Sequence, residues 1–270
     1  MTVLDVSAET YHAGTDERPR LSASIATILW HKTPLHAWTA HPRLNPAYVR
    51  EDDGKFDLGT VAHSVLLQGE DIVYVVHEDA WRSKIAKESR EYARSIGKVP
   101  LLAKDRDRVN EMCEALREKL PDLFVDGKPE VTLQWTERDV DLKARLDWLR
   151  DDCTRIVDLK TSGQVSRFDR TLYDHGYDIQ AAMYRRAVAA IFGTVPEYLW
   201  CVVETSAPFE FRLVRPGADV LTVAERKLDW AIGKWRECMA SGEWPGYSRE
   251  IDEAELPPWE EAKLMAREAA

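Results

Sequence analysis

The chain has 270 residues, 44% of them hydrophobic and 31% charged, with a net charge of −10. That length buries a full core in one domain, and the balance is that of a soluble globular protein with no apolar run near the roughly 18 residues of a membrane span. The acidic total excludes a uniformly basic nucleic-acid binder, but not an enzyme in which a metal and a few Lys or Arg supply a local positive field.

Residues 1–20 are polar and aperiodic, with Gly14 and Pro19, and read as a flexible lead; residues 21–270 read as one domain with a C-terminal helical extension. The N-terminus lacks the basic and apolar regions of a signal peptide, so a cytoplasmic location is expected. Ser22 suits an N-cap, with Ile25, Ile28 and Leu29 on one face of a short helix that Pro34 limits. Leu35–Trp38 is expected to add a helical turn or two, and Pro42 and Pro46 bracket a loop. Asp57 is placed to cap a helix over 58–68, whose apolar stripe is Leu58, Val61, Ala62, Val65 and Leu66. His63 sits just off that stripe. A lone helical histidine is more often a surface or satisfied core residue than a ligand.

Residues 72–76 are β-branched and aromatic, a short strand. A charged helical region follows from Trp81 to Ser95. Its Arg82, Lys84, Lys87 and Arg90 fall within three turns, which fits either a solvated face or a phosphate-contacting arm. Gly97 and Pro100 punctuate, and 103–119 is an amphipathic helix with Val109, Met112, Cys113 and Leu116 inward. Glu130–Trp135 alternates, with Glu130 on the polar side.

From Val140 the chain alternates again. Val140, Leu142, Ala144 and Leu146 are apolar, and Asp141, Lys143, Arg145 and Asp147 lie between them, a strand with one charged face. Ile156, Val157 and Leu159 make a second short run in which Asp158 and Lys160 share a face. A turn centred on Asp152 and Cys153 puts Asp147 opposite Asp158, so two carboxylates and a lysine converge. Neighbouring carboxylates repel unless a cation sits between them, and a divalent ion with oxygen ligands is the usual answer. A lysine beside that ion can orient or activate a water, or neutralise phosphate charge. An Asp followed about ten residues later by Asp-x-Lys resembles the core of the PD-(D/E)XK nuclease superfamily, although an exposed hairpin with solvated charges produces the same short pattern.

After Thr161–Gly163 a polar loop is expected to Tyr177, then a helix over 178–192 with Ile179, Met183, Ala187 and Ile191 inward. Gln180 and Tyr184, four apart, project together from it. Tyr198–Val203 is a continuous apolar run suited to a central strand, and Phe209, Phe211 and Leu213 mark a further strand. Residues 217–241 form a long helix with Leu221, Ala224, Leu228, Ala231 and Trp235 inward, and the tail is loop and then a charged helix. Cys113, Cys153, Cys201 and Cys238 form no CxxC pair; they read as reduced thiols, and no iron–sulfur cluster is expected.

Taken together, the set resembles the RecE-type (exonuclease VIII-like) phage and prophage exonucleases of the PD-(D/E)XK superfamily. The matching pieces are Leu21–Ser24 with Lys32–Pro34, Leu58–His63, Arg82–Lys84 with Gly97–Pro100, Lys143–Asp147, Val157–Thr161, and Tyr177–Gln180 with Ala182–Tyr184. The resemblance implies an α/β fold, the restriction-endonuclease-like core with a mixed central sheet flanked by helices. It implies that His63, Asp147, Asp158 and the Leu159 carbonyl hold two Mg²⁺ ions, with Mn²⁺ a substitute, and that Lys160 positions and activates the attacking water. Gln180 and Tyr184 would shape the site and touch the phosphate. The implied DNA contacts are Ser22, Ser24, Arg82, Lys84, Lys87 and Arg145. The activity implied is metal-dependent degradation of linear double-stranded DNA from its ends, 5′ to 3′, feeding a single-strand annealing protein, by a ring-like homo-oligomer, a tetramer. An endonuclease, a single-strand-specific nuclease and a non-catalytic DNA-end-binding module are the alternatives. One departure is Leu146, where the superfamily has proline before its first aspartate.

Overall fold

The computed structural model describes residues 2–4, 6, 8–13, 16–49, 57–69 and 72–268. In chain order the elements are β1 (Thr2–Leu4), α1 (Ala8–His12), α2 (Ala23–His31), α3 (Pro34–Ala40), α4 (Asp57–His63), β2 (Val73–Val76), α5 (Lys84–Ser95), β3 (Val99–Leu102), α6 (Ala103–Lys119), β4 (Gly127–Glu137), β5 (Val140–Arg150), β6 (Arg155–Ser162), α7 (Phe168–Asp174), α8 (Tyr177–Phe192), β7 (Glu197–Glu204), β8 (Phe211–Val214), α9 (Ala218–Ser241) and α10 (Pro258–Glu268). A π-helical turn, Ser64–Gln68, prolongs α4, and a 3₁₀ turn, Val165–Arg167, precedes α7. Among the described residues no helix is long and apolar enough to cross a membrane.

A six-stranded sheet runs in the order β1-β4-β5-β6-β7-β8. The β6–β7 pair is parallel and its other neighbours are antiparallel, so the sheet is mixed, as expected. The parallel pair needs a crossover, and α7 and α8 supply it. Two apolar clusters lie against the sheet. In one, Leu29 of α2, Met183 of α8 and Leu228 and Trp235 of α9 join Leu142, Leu146, Tyr198 and Trp200. In the other, Val61 and Ala62 of α4 and Val109, Met112 and Leu116 of α6 join Trp148, Val157, Leu159 and Val203. Strands covered on both faces carry apolar residues at consecutive positions, which is why 198–203 is apolar throughout.

Several elements depart from the sequence reading. The lead contributes the edge strand β1, paired antiparallel with β4 from Thr2↔Gln134 to Leu4↔Thr132, and the short helix α1; Gly14 lies outside the described residues. Phe56, in the string that precedes His63, also lies outside them. The helix over 58–68 is α only to His63 and π beyond it. Residues 81–83 are not helical, because Ser83 is the N-cap of α5, its Oγ accepting from Ala86 N at 3.0 Å. Pro100 lies inside a strand and does not end one: β3 pairs in parallel with β2 in a separate two-stranded sheet. The loop expected between Gly163 and Tyr177 is largely helical.

The feature that positions the site is a break in the sheet. The β5–β6 ladder holds only at Trp148↔Val157 and Leu149↔Ile156. One step further its register would pair Asp147 with Asp158, but there the strands part. Leu159 N–H donates to Asp147 Oδ2 at 2.9 Å in place of a backbone carbonyl, which meets the rule that buried amides find an acceptor. The β4–β5 ladder likewise skips one level, between Pro129↔Trp148 and Val131↔Leu146, where Glu130 has a positive φ of 55°. Further along β5, Leu21 takes over the vacated edge: its N–H donates to Asp141 O and its carbonyl accepts from Lys143 N.

Candidate metal-ligating site

Glu130, Asp147 and Asp158 stand side by side on β4, β5 and β6 at the level where both ladders open. The hairpin turn Arg138–Asp139, with φ of 51° and 62°, fixes the first register; the turn through Cys153, φ 58°, follows Arg150 into the second. Two-residue turns with positive φ suit the twist of paired strands.

His63 comes to this level from the end of α4. Its Nε2 lies 3.0 Å from the Leu159 carbonyl, and its Nδ1 is 3.6 Å from Asp147 Oδ2 and 3.9 Å from Glu130 Oε1. One ligand atom from each of His63, Glu130 and Asp147 lies within 4.8 Å of the others. Two atoms bound to one ion at about 2.1 Å stand roughly 3.0–4.2 Å apart, so this spacing fits a divalent cation. The arrangement directs Nδ1 at the carboxylates while the Leu159 carbonyl orients the ring through Nε2–H, as ligating histidines are commonly oriented.

Asp158 is fully buried. Its Oδ2 pairs with Lys160 Nζ at 2.6 Å, and its Oδ1 takes no hydrogen bond. A buried carboxylate oxygen without a donor is costly, and a cation is the partner that would satisfy it. Asp158 is not part of the tight His63–Glu130–Asp147 group; it faces the other side of Asp147.

The electrostatics follow. Burial, with the nearby Asp158, pushes Asp147 up to about 6, against the opposing pull of His63 and Lys160. Burial alone would lower His63, but Asp147 and Glu130 reverse this and raise it. Burial would raise Glu130, but His63 and Arg145 hold it below the usual carboxylate range. Burial would lower Lys160, yet Asp158 and Asp147 outweigh it and push the ammonium up, so Lys160 stays protonated at neutral pH.

The remaining wall comes from α8. Gly176 precedes it with φ 66°, and a Cβ there would sit 2.3 Å from Thr27 Oγ1, so only glycine lets α8 dock this closely on α2. Asp178, buried, pairs with Lys227 of α9 at 2.6 Å and pins the same end. Tyr177 then covers Lys160, its ring centroid 4.8 Å from Nζ, and stacks on Phe168. Gln180 Nε2 donates to Tyr184 Oη at 3.1 Å, as the i, i+4 spacing predicts. Burial, with Tyr11, Asp147 and Asp158 adding to it, holds the Tyr184 phenol protonated, so its O–H remains a donor.

Of the residues read from sequence, the structure brings His63, Asp147, Asp158, Leu159 and Lys160 together, with Gln180 and Tyr184 paired on α8. Arg145 is a correction. It is buried, its Nε donating to Glu130 Oε2 at 2.6 Å and its Nη1 to Thr132 Oγ1 and the Val6 carbonyl at 2.7 Å each, so it holds Glu130 and the lead and is not a surface contact for DNA. Ser22 is likewise buried as the cap of α2, bonding Ile25 N at 3.4 Å and lying 3.0 Å from the exposed Ser24. Arg82, Lys84 and Lys87 are exposed around the start of α5. Glu130 and Tyr177 were missed as site residues. Glu130 was findable: a turn centred on Arg138 and Asp139 puts it opposite Asp147, by the reasoning that pairs Asp147 with Asp158. For Tyr177 there was no local signal beyond its place in a stretch that carries the resemblance.

Residues 30–257 match a family described as a PDDEXK-like domain of unknown function (DUF3799). Among solved structures, a candidate exonuclease from Eubacterium rectale superposes with a TM-score of 0.69 at 14% identity, over 97% of this chain and 99% of that one. The structure of SSO0001 superposes with a TM-score of 0.35 at 10% identity, over 83% of this chain and 81% of that one. The first likeness bears on the fold and the second is too distant to use. No curated protein matches the sequence.

Proposed function

The chain belongs to the PDDEXK-like family DUF3799, a nuclease-superfamily fold, and from that premise we propose that it is a metal-dependent exodeoxyribonuclease acting on the ends of linear double-stranded DNA, 5′ to 3′. The observation that carries the nuclease part is the opened sheet, in which one buried and two half-buried carboxylates, one imidazole and a lysine face one another. What supports the exonuclease part is the ordered set of stretches shared with RecE-type enzymes.

His63, Glu130 and Asp147 would hold one ion, and Asp147, Asp158 and the Leu159 carbonyl would hold a second. Hard oxygen donors suit Mg²⁺, and the imidazole is well tolerated by Mn²⁺. Such ions stabilise charge on the attacking and leaving oxygens of a phosphodiester. Lys160 orients the attacking water by donating to it and balances charge on the phosphate. Tyr177 confines the ammonium, and Tyr184, held by Gln180, offers its O–H to a non-bridging phosphate oxygen. Arg145 acts through Glu130 as a positioning residue.

The test is digestion of end-labelled linear duplex and of a covalently closed circle, with Mg²⁺ or with EDTA, using Lys160→Ala as control. The expected result is Mg²⁺-dependent release of nucleotides from the linear substrate alone, abolished in Lys160→Ala. Cleavage of the circle would refute the exonuclease reading, and cleavage by Lys160→Ala at the wild-type rate would refute the mechanism.

A further inference from the structure

Glu130 presents its carboxylate from a backbone that disfavours it. Its φ of 55° lies in the left-handed region, which a residue other than glycine keeps only where its surroundings fix it. Arg145 does the fixing. Its Nε donates to Glu130 Oε2 at 2.6 Å, and Oε1 is left on the side of His63, 3.9 Å from Nδ1. The guanidinium is buried and is held in turn through Nη1, which donates to Thr132 Oγ1 of β4 and to the Val6 carbonyl, each at 2.7 Å. Val6 belongs to the N-terminal lead, so the lead stands one guanidinium away from a candidate metal ligand.

The lead is held largely by polar contacts. Among its described residues none is buried. Apart from the β1–β4 pairing, its anchor is Lys143, whose Nζ donates to the Tyr11 carbonyl at 2.7 Å and to Asp16 Oδ2 at 2.8 Å and lies 4.7 Å from the centre of the Tyr11 ring. Gln134 Nε2 donates to the other Asp16 oxygen at 2.8 Å. A segment with few buried apolar contacts opens more readily than the core beneath it. When this one lifts, Arg145 loses the Val6 acceptor. A buried donor without an acceptor is costly, so the guanidinium shifts, and the Glu130 carboxylate shifts with it.

We propose that docking of the lead and loading of the His63–Glu130–Asp147 site with a divalent cation are coupled. Tyr11, Asp16 and Lys143 are positioning residues: they seat Val6, which holds Arg145, which aims Glu130. The proposal rests on the reading of that cluster as an ion site. Coupling of this kind is reciprocal: a docked lead raises the affinity for the ion, and the bound ion tightens the lead by the same factor. A side chain that orients a ligand from behind commonly changes metal affinity by about tenfold or more. The lead acts one step further back, and an effect of about fivefold is expected, at the lower end of ordinary coupling between sites.

The test is titration calorimetry of the full chain with Mn²⁺, for wild type, Asp16→Ala and Tyr11→Ala, none of which alters a group that would touch the ion. Two controls separate other effects. Glu17→Ala removes the same charge from the exposed neighbour of Asp16, and Ser83→Ala removes the cap of α5 and so costs stability away from the lead. Circular dichroism verifies each fold. A second measurement needs no variant: hydrogen exchange at the β1 amides of wild type, with and without Mn²⁺. The expected result is Mn²⁺ affinity lower by about fivefold in Asp16→Ala and in Tyr11→Ala, wild-type affinity in both controls, and β1 exchange that slows when Mn²⁺ is added. Lead variants that bind Mn²⁺ as wild type does overturn the coupling and leave the ion site standing. Controls that lose as much as the lead variants overturn it too, and so does β1 exchange indifferent to Mn²⁺. Wild type that binds no Mn²⁺ overturns the ion-site reading and the coupling together.

Discussion

Asp147→Asn tests whether the site is held at the expense of stability. The Asp147 carboxyl is pushed from an ordinary 3.8 to about 6 by burial and by Asp158. A raised carboxyl means that the folded state disfavours its charged form. The sign is the reverse of the usual salt-bridged aspartate: the penalty is absent below pH 3.8, grows as pH rises, and is complete above about 6. Two pKa units correspond to about 3 kcal/mol at neutral pH. Asparagine keeps the shape, and its Oδ1 can still accept from Leu159 N–H. In EDTA at pH 7.5, Asp147→Asn should therefore be more stable than wild type by up to about 3 kcal/mol, or roughly 5–10 °C in Tm for a chain of this size. At pH 4 the two should coincide. Adding Mg²⁺ should raise the Tm of wild type and leave the variant nearly unmoved, because ligand binding stabilises only the form that binds. The assay is thermal and urea unfolding at the two pH values. A variant less stable than wild type at pH 7.5 in EDTA, or an advantage that is the same at pH 4, would refute the account of how these carboxylates are held.

Glu130→Gln should weaken Mn²⁺ binding by at least about tenfold with little change in fold, since it removes one ligand charge; titration calorimetry measures this, and an unchanged affinity would remove Glu130 from the ligand set. Reversing Arg82 and Lys84 to Glu should weaken DNA binding and flatten its dependence on salt, as fewer counterions are released; an unchanged salt slope would assign those residues to an ordinary solvated surface. Ser22→Ala should cost about 1 kcal/mol through loss of the α2 cap, measured by urea unfolding, while DNA affinity at matched folded fraction stays as in wild type.

Much of the site was legible in the sequence because strands and helices have fixed periods. Period two put Asp158 and Lys160 on one face, a short turn through Cys153 set Asp147 against Asp158, and four-residue spacing paired Gln180 with Tyr184. These are local consequences of backbone geometry. The arrival of His63 at the Leu159 carbonyl came from resemblance, since nothing within α4 says which strand it meets. What only the tertiary structure decided is where charge is buried. Lys143 and Arg145 alternate with apolar residues in the manner of a solvated face, yet residues of the lead cover them: Lys143 Nζ bonds the Tyr11 carbonyl and Asp16, and Arg145 bonds the Val6 carbonyl. Alternation separates the two faces of a strand but does not say whether water or another segment lies on the polar one. The opening of the sheet is a second case. Glu130, Asp147 and Asp158 would crowd a continuous ladder with three carboxylates, and the strands part where they meet. That outcome depends on three strands at once, and no single segment of the sequence contains it.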